Sequence, residues 1–266
     1  MKIYVNEELK DVSNESTLFS LKEQIKKDAD LVIYNGFIVK EDLALKAGDS
    51  IVFIKKGEIP SKEEMEAQLV ARHTPNVHEK VKKVSVGIAG LGGLGSNVAV
   101  SLARIGIGRL LLVDFDIVEP SNLNRQQYFV KHIGMKKTDA LKEIISWCNP
   151  FVKVDTVDTF IDENNTADIF NDVDIIVEAF DNPVSKALIT NEVLTKMKNK
   201  KIVAASGMAG YFSSNSICTT KINDSFYLVG DRENGAGPGM GLMAPRVSIA
   251  ANHEANAVLR IIMGEE

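Results

Sequence analysis

The segment Val84-Ser85-Val86-Gly87-Ile88-Ala89-Gly90-Leu91-Gly92-Gly93-Leu94-Gly95-Ser96-Asn97 decides the fold. Its apolar run VSVGIA ends in glycines spaced G-x-G-x-x-G, and the following SNVAVSLARIG continues with helical periodicity. A strand, a tight turn and a helix in that order open a nucleotide-binding βαβ unit. Glycine permits the turn and close backbone approach, while the free N–H groups of the new helix favour a phosphate. The expected binding glycines are Gly90, Gly92, Gly93 and Gly95. Asp114 closes the next apolar run, LLLVD, 24 residues after Gly90, where a carboxylate can accept from ribose hydroxyls. Alone, this fingerprint points first to an NAD-binding oxidoreductase.

Working outward, VKVDTV, DIIVEA and KIVAA are further short strand-like runs, separated by helical stretches such as KKTDALKEIISW and VSKALITNEVLTKM. Alternation of this kind predicts a doubly wound, mostly parallel α/β sheet of Rossmann-like type. Between Ser214 and Val229 two adjacent runs meet at Asn223-Asp224 and predict an antiparallel hairpin, and a helix from about Pro245 to Met263 comes after it. Upstream, Ile3 and Val5 alternate with polar neighbours, Thr17 is placed to cap a helix, and LVIY, FIV and IVFI form three more short strands. The order ββαβββ, or ββαββ if the middle runs merge, over about 57 residues predicts a small sheet gripping one helix. The expected organisation is therefore residues 1–57 as a small β domain, 58–83 as a helical linker broken at Thr74-Pro75, and 84–266 as the nucleotide domain.

Composition narrows the function classes. A net charge of −5 with no basic stripe gives no electrostatic case for nucleic acid, and no apolar run approaches the length of a membrane span. A cytoplasmic location is expected. Two cysteines, Cys148 and Cys218, cannot build a four-thiolate zinc site, and both read as packing residues, Cys218 as a small core residue of the hairpin. The four histidines are scattered; His73, His78 and His253 read as surface or cap residues rather than metal ligands, and His132 carries no signal.

The residues after Asp114 turn the reading away from dehydrogenases. Asp114-Phe115-Asp116-Ile117-Val118-Glu119-Pro120-Ser121-Asn122-Leu123-Asn124-Arg125-Gln126 packs acids, amides and a guanidinium into thirteen residues. An ATP site needs that set: carboxylates for ribose and metal-bound water, amides to orient phosphate oxygens, and a guanidinium against developing charge. Asp181, at the end of DIIVEA, stands where an open α/β sheet places its ligand, and the alternative for it is a cap on the helix beginning near Pro183.

With these residues in place, GLGGLGS, VDFDIVEPSNLNRQ, GMKK and the Asp181-Asn182 pair resemble the ubiquitin-activating superfamily. The likeness is to its ThiF/MoeB/HesA-type adenylyltransferases, over roughly residues 72–264, and the VEPSNLNRQQY spelling is most similar to a short ThiF subtype of thiamine biosynthesis. The resemblance implies an enzyme that uses ATP and Mg2+ to adenylate the C-terminal glycine carboxylate of a small ThiS-like Gly-Gly sulfur carrier, releasing pyrophosphate. Relatives that serve a molybdopterin carrier or a modified tRNA base share these motifs. It implies Asp181 as the magnesium ligand, Arg125 and Gln126 as phosphate contacts, Lys137 as the phosphate-binding lysine, and Asn122 in a supporting place beside Asp116 and Asn124. Arg72 matches an arginine that reaches the ATP of the other subunit of a homodimer. A sulfur-donor protein is a further implied partner. The zinc cysteines of many relatives are missing, as is any cysteine in residues 230–243, so neither zinc nor a thioester step is expected. Residues 1–57 resemble a ThiS-like, ubiquitin-like β-grasp domain, but Lys55-Lys56-Gly57-Glu58 runs on and offers no glycine carboxylate. A catalytically idle relative, blocked by that fused domain, is the remaining alternative.

Overall fold

In the computed structural model, which describes residues 1–265, the chain divides into two compact units, Met1–His78 and Glu79–Glu266. The first contains β1 (Lys2–Val5), β2 (Glu8–Asp11), α1 (Leu18–Ile25), β3 (Leu31–Tyr34), β4 (Phe37–Val39), β5 (Ser50–Ile54) and α2 (Lys62–Arg72). The sheet order is β2-β1-β5-β3-β4, with β1 and β5 parallel and the other pairs antiparallel. Alternation puts Ile3, Val5, Val32, Ile51 and Phe53 on the face that packs against Leu18 and Leu21 of α1. Thr17 starts that helix with a capping box, closed by Ser20. The β1–β2 turn holds Asn6 and Glu7 at positive φ, and the β3–β4 turn does the same with Asn35 and Gly36, as two-residue hairpins require. The result is the expected ubiquitin-like β-grasp arrangement.

The sheet of this unit ends near the boundary read from composition, yet α2 packs with it. Asn6 Nδ2 donates to Glu64 Oε1 at 3.2 Å, and Arg72 Nη2 to Glu7 Oε1 at 2.8 Å. A short helix, α3 (Val77–Val81), runs across the division between the units.

The second unit continues with β6 (Ser85–Ala89), α4 (Gly93–Arg104), β7 (Arg109–Asp114), α5 (Lys137–Cys148), β8 (Lys153–Asp158), α6 (Thr166–Ile169), β9 (Ile175–Glu178), α7 (Pro183–Lys196), β10 (Lys201–Ala205), β11 (Cys218–Asn223), β12 (Phe226–Gly230) and α8 (Ala244–Met263). Its seven strands lie in the order β11-β12-β10-β9-β6-β7-β8, and only β11 is antiparallel to its neighbour. One core joins Leu111, Ile176 and Ile202 of the sheet to Phe170, Ile189 and Val193. The apolar face of α8, including Val247, Ala250, Ala251 and Val258, is buried, as is most of α4. The chain runs from β6 to β7 and β8 on one side, then crosses to β9 and β10 on the other. The switch point thus lies between the carboxyl ends of β6 and β9, where an open α/β sheet leaves a crevice.

Two side chains, Cys218 and His78, depart from expectation. Cys218 is exposed rather than a core residue, because β11 is the edge strand and pairs only with β12. His78 is buried rather than a surface residue, and His132 is fully buried, its Nδ1 accepting from the Phe129 N–H at 3.0 Å. Burial lowers the pKa of His132, which favours the neutral ring. Cys148 is half-buried at the end of α5, and burial pushes its thiol up. Among the described residues no helix is long and apolar enough to cross a membrane.

Candidate active site

The glycine loop is shaped by contacts that no other residue would allow. Gly90 turns with φ +90°, and a Cβ on Gly95 would stand 1.9 Å from the Gly90 carbonyl oxygen, so α4 starts against the end of β6 only because both are glycine. Asp114 secures this loop from the next strand. One carboxylate oxygen accepts from the Leu91 N–H at 2.6 Å and the other from the Asp116 N–H at 2.8 Å. Each oxygen keeps a lone pair, so a ribose hydroxyl can still be bound. The Tyr128 hydroxyl donates to the Leu91 carbonyl at 2.9 Å, and burial pushes its phenol well above the ordinary range.

Asn97 joins this loop to the polar segment after β7. Its Nδ2 donates to the Gly93 carbonyl at 2.6 Å and lies 3.2 Å from that of Arg125, while its Oδ1 accepts from Gln127 at 2.6 Å. Asn122 Oδ1 accepts from the Glu119 N–H at 2.9 Å, closing a 3-10 turn over Pro120–Asn124. Arg125 Nη1 donates to Asn124 Oδ1 at 2.8 Å, yet its Nε is buried without a partner, as is Gln126 Oε1. Lys137, the first residue of α5, is almost wholly buried and reaches Asp116 Oδ2 at 2.7 Å.

These groups border one cavity of about 780 Å³. Of the residues named from sequence, Gly90, Gly92, Gly93, Asp114, Asp116, Asn122, Arg125, Gln126, Lys137 and Asp181 line it. Gly95 and Asn124 act from behind, as packing and as a tether for Arg125. Arg72 lies in the first unit on Glu7 and does not line the cavity. Asn182, not Asp181, caps α7, its Oδ1 accepting from the Val184 N–H at 2.8 Å. Asp181 is thereby left exposed at the cavity edge, with no hydrogen bond or ion pair among the described residues.

The residues fit a magnesium nucleotide. Mg2+ keeps several waters and takes one or two carboxylates plus phosphate oxygens, so a single unclaimed Asp181 suffices on the protein side. The orphaned Arg125 Nε and the glycine-loop amides are donors that a phosphate would satisfy.

Two further features escaped sequence reading. Phe115 and Phe160 meet edge-to-face with ring centroids 5.3 Å apart, both half-exposed and both lining the cavity. Beneath the wall, Lys186 pairs with the buried Glu178, and Glu254 of α8 is fully buried with neither oxygen bonded. A lysine near the start of a helix and an acid in the last helix resemble ordinary surface residues, so nothing in the sequence marks them.

Burial holds the Glu254 carboxyl well above the usual range; the Glu178 carboxylate adds to this and the Lys186 ammonium opposes it. The native state therefore binds this proton more firmly than the unfolded chain does. Stability falls as pH rises from about 4.5 toward the folded-state pKa, because the unfolded chain releases the proton first. Glu254→Gln removes that titration. Its melting temperature is expected to exceed that of the wild type by about 3 °C or more near neutral pH, with the gap closing in acid; thermal melts across pH check this.

The glycine loop at the switch point, with Arg125, Lys137 and the unclaimed carboxylate of Asp181 on the same cavity, defines a Rossmann-like α/β protein with a nucleotide-type site. The ThiF family matches residues 65–266 and a ThiS-like ubiquitin family matches residues 1–57. The chain belongs to the ThiF family, with a ThiS-like unit at its front. It is 30% identical over 196 residues to the adenylyltransferase and sulfurtransferase UBA4 of Candida glabrata, covering 70% of this chain and 44% of that one. It is 34% identical over 132 residues to the molybdopterin-synthase adenylyltransferase of Haemophilus influenzae, covering 49% and 53%. The matches thus span about half the length of these curated relatives. The E. coli tRNA N6-threonylcarbamoyladenosine dehydratase in complex with ATP superposes with a TM-score of 0.69 at 21% identity, covering 78% of this chain and 98% of that one, and shares the fold.

Proposed function

We propose that this protein adenylates the C-terminal glycine carboxylate of a separate ThiS-like sulfur carrier, using ATP and Mg2+ and releasing pyrophosphate. The carrying observation is the unclaimed Asp181 facing the same cavity as the glycine loop, Arg125 and Lys137. In this reading the loop amides and Arg125 hold the triphosphate, and Lys137 exchanges Asp116 for a phosphate oxygen. Asp181 anchors the magnesium, whose chemistry is to neutralise the departing pyrophosphate. The carrier's carboxylate oxygen attacks the α-phosphorus, forming the acyl-adenylate as the bond to pyrophosphate breaks. In-line positioning and charge supply most of the rate.

A ThiS-like partner and a place in thiamine synthesis are supported by the short ThiF-type spelling and by the ThiS-like unit fused here. That unit is not itself the substrate. Past its last strand, which ends at Ile54, the chain runs on through Lys56, whose N–H donates to Asp30 at 2.7 Å, and Glu58, which pairs with Lys26 at 2.6 Å. Pyrophosphate exchange with a panel of purified Gly-Gly carriers, and with tRNA, tests the assignment. Exchange driven by a ThiS-like carrier is expected; exchange driven only by tRNA, or none with any acid, would overturn it.

The reading also makes the enzyme a homodimer in the cytoplasm, with a sulfur-donor protein acting on the adenylate and Arg72 supplied in trans by a second copy. Arg72→Ala and Asp181→Asn are each expected to be nearly inactive. Equal mixing with subunit exchange should return up to about a quarter of wild-type activity, because half the dimers are mixed and each has one intact site. No recovery despite demonstrated exchange would take Arg72 out of the reaction.

A further inference from the structure

The loop that presents Asp181 is held by a buried charged tie. Glu178 is the last residue of β9 and is almost wholly buried. Its carboxylate folds back to accept from the Phe180 N–H at 2.7 Å, the amide just before Asp181. The same carboxylate receives Lys186 Nζ at 3.1 Å on both oxygens, and that ammonium also donates to the Ala205 carbonyl at the end of β10, at 3.0 Å. Lys186 lies in the first turn of α7, whose cap is Asn182. One ammonium thus joins the end of β9, the start of α7 and the end of β10, and residues 179–182 connect the first two of these.

The charge balance favours this arrangement. Two carboxyl groups, Glu178 and Glu254, act electrostatically on one lysine, and burial pushes both up. Glu254 has no hydrogen-bond partner and is the more strongly held as the neutral acid, which leaves Lys186 to Glu178. A buried carboxylate that lost its cation would carry a cost large enough to release the turn it grips.

We infer that Lys186 is a positioning residue: through Glu178 it fixes the turn that aims Asp181 at the magnesium nucleotide. This rests on the adenylation reading for what Asp181 does, but not for how the turn is held. Lys186 also lines the cavity wall, so an altered nucleotide affinity has to be separated from an altered metal response.

The test uses the full chain with Lys186→Met, Lys186→Arg and the double variant Lys186→Met/Glu178→Gln, which leaves no lone buried charge if the single variant fails to fold. Three quantities are read: ATP affinity without metal, the Mg2+ concentration giving half-maximal ATP binding, and amide hydrogen exchange of a peptide spanning 179–183. In the double variant, metal-free affinity is expected to stay within about twofold, the Mg2+ midpoint to rise about tenfold, and the peptide to exchange about tenfold faster. Lys186→Arg should restore both to within a few fold, since a guanidinium can make the same contacts. Unchanged exchange at 179–183, or loss of metal-free affinity in step with the metal response, would overturn the inference. If the wild type shows no acid-dependent pyrophosphate exchange, the adenylation reading fails, while the exchange of residues 179–183 still decides whether the tie holds the turn.

Discussion

Asp181→Asn is expected to reduce carrier-dependent pyrophosphate exchange by about 100-fold or more while leaving the melting temperature unchanged. A single magnesium-bound carboxylate contributes several kcal/mol to stabilising charge on a leaving pyrophosphate, and each 1.4 kcal/mol is about tenfold in rate. The fold should not respond, because the side chain has no protein partner among the described residues and the helix cap belongs to Asn182. The separation matters: Glu178 and Asp231 are acids tied into the structure, Glu178 to Lys186 and Asp231 to Arg246 and the Asn234 amides. Their replacement would lower activity through stability. Steady-state kinetics with magnesium varied, alongside a thermal melt, checks the claim, and exchange within a few fold of wild type would remove Asp181 from the reaction.

The second large effect is expected at Gly95. An alanine methyl there would stand 1.9 Å from the Gly90 carbonyl oxygen, a backbone atom that cannot swing aside. The start of α4 must therefore move away from β6. Overpacking of this kind costs about 3 kcal/mol, which in a chain of this size lowers the melting temperature by about 6–12 °C. Nucleotide binding should fall at least tenfold with it, since the loop amides move with the helix. Gly92→Ala supplies the contrast. A Cβ there meets only the tip of Gln126, at 3.9 Å, so the fold should hold while a methyl on the cavity wall blocks the phosphate. Equal melting temperatures for Gly95→Ala and wild type would show that the loop is more pliant than these distances imply.

The contrast between these glycines bears on how far the sequence could be read. G-x-G-x-x-G after an apolar run specifies strand, turn and helix because each glycine answers a local steric demand, and strand-helix alternation with right-handed crossovers leaves few ways to arrange the sheet. The β-grasp order was also legible, since alternation, the Asn35-Gly36 turn and a Thr cap are local signals. So was the polar segment after Asp114, in which acids, amides and Arg125 lie within thirteen residues of chain.

Other features depend on which strands become neighbours. β11 lies at the sheet edge, so Cys218 is exposed despite its apolar surroundings. His78 is buried although Asn76, Glu79 and Lys80 stand close to it in the chain. Choice of the α7 cap fell to Asn182, a matter of backbone angles that two adjacent capping residues leave open in sequence. The tie between Glu178, Lys186 and Ala205 joins residues up to 27 positions apart, and Glu254 reaches its electrostatic environment from the last helix. Most elements, their order and the chemistry near each glycine and acid are legible in the chain, because they follow from local sterics and hydrogen bonding. Which charges are buried together and which carboxylate stays unclaimed is not, because desolvation and pairing belong to three-dimensional neighbours rather than to neighbours in the chain.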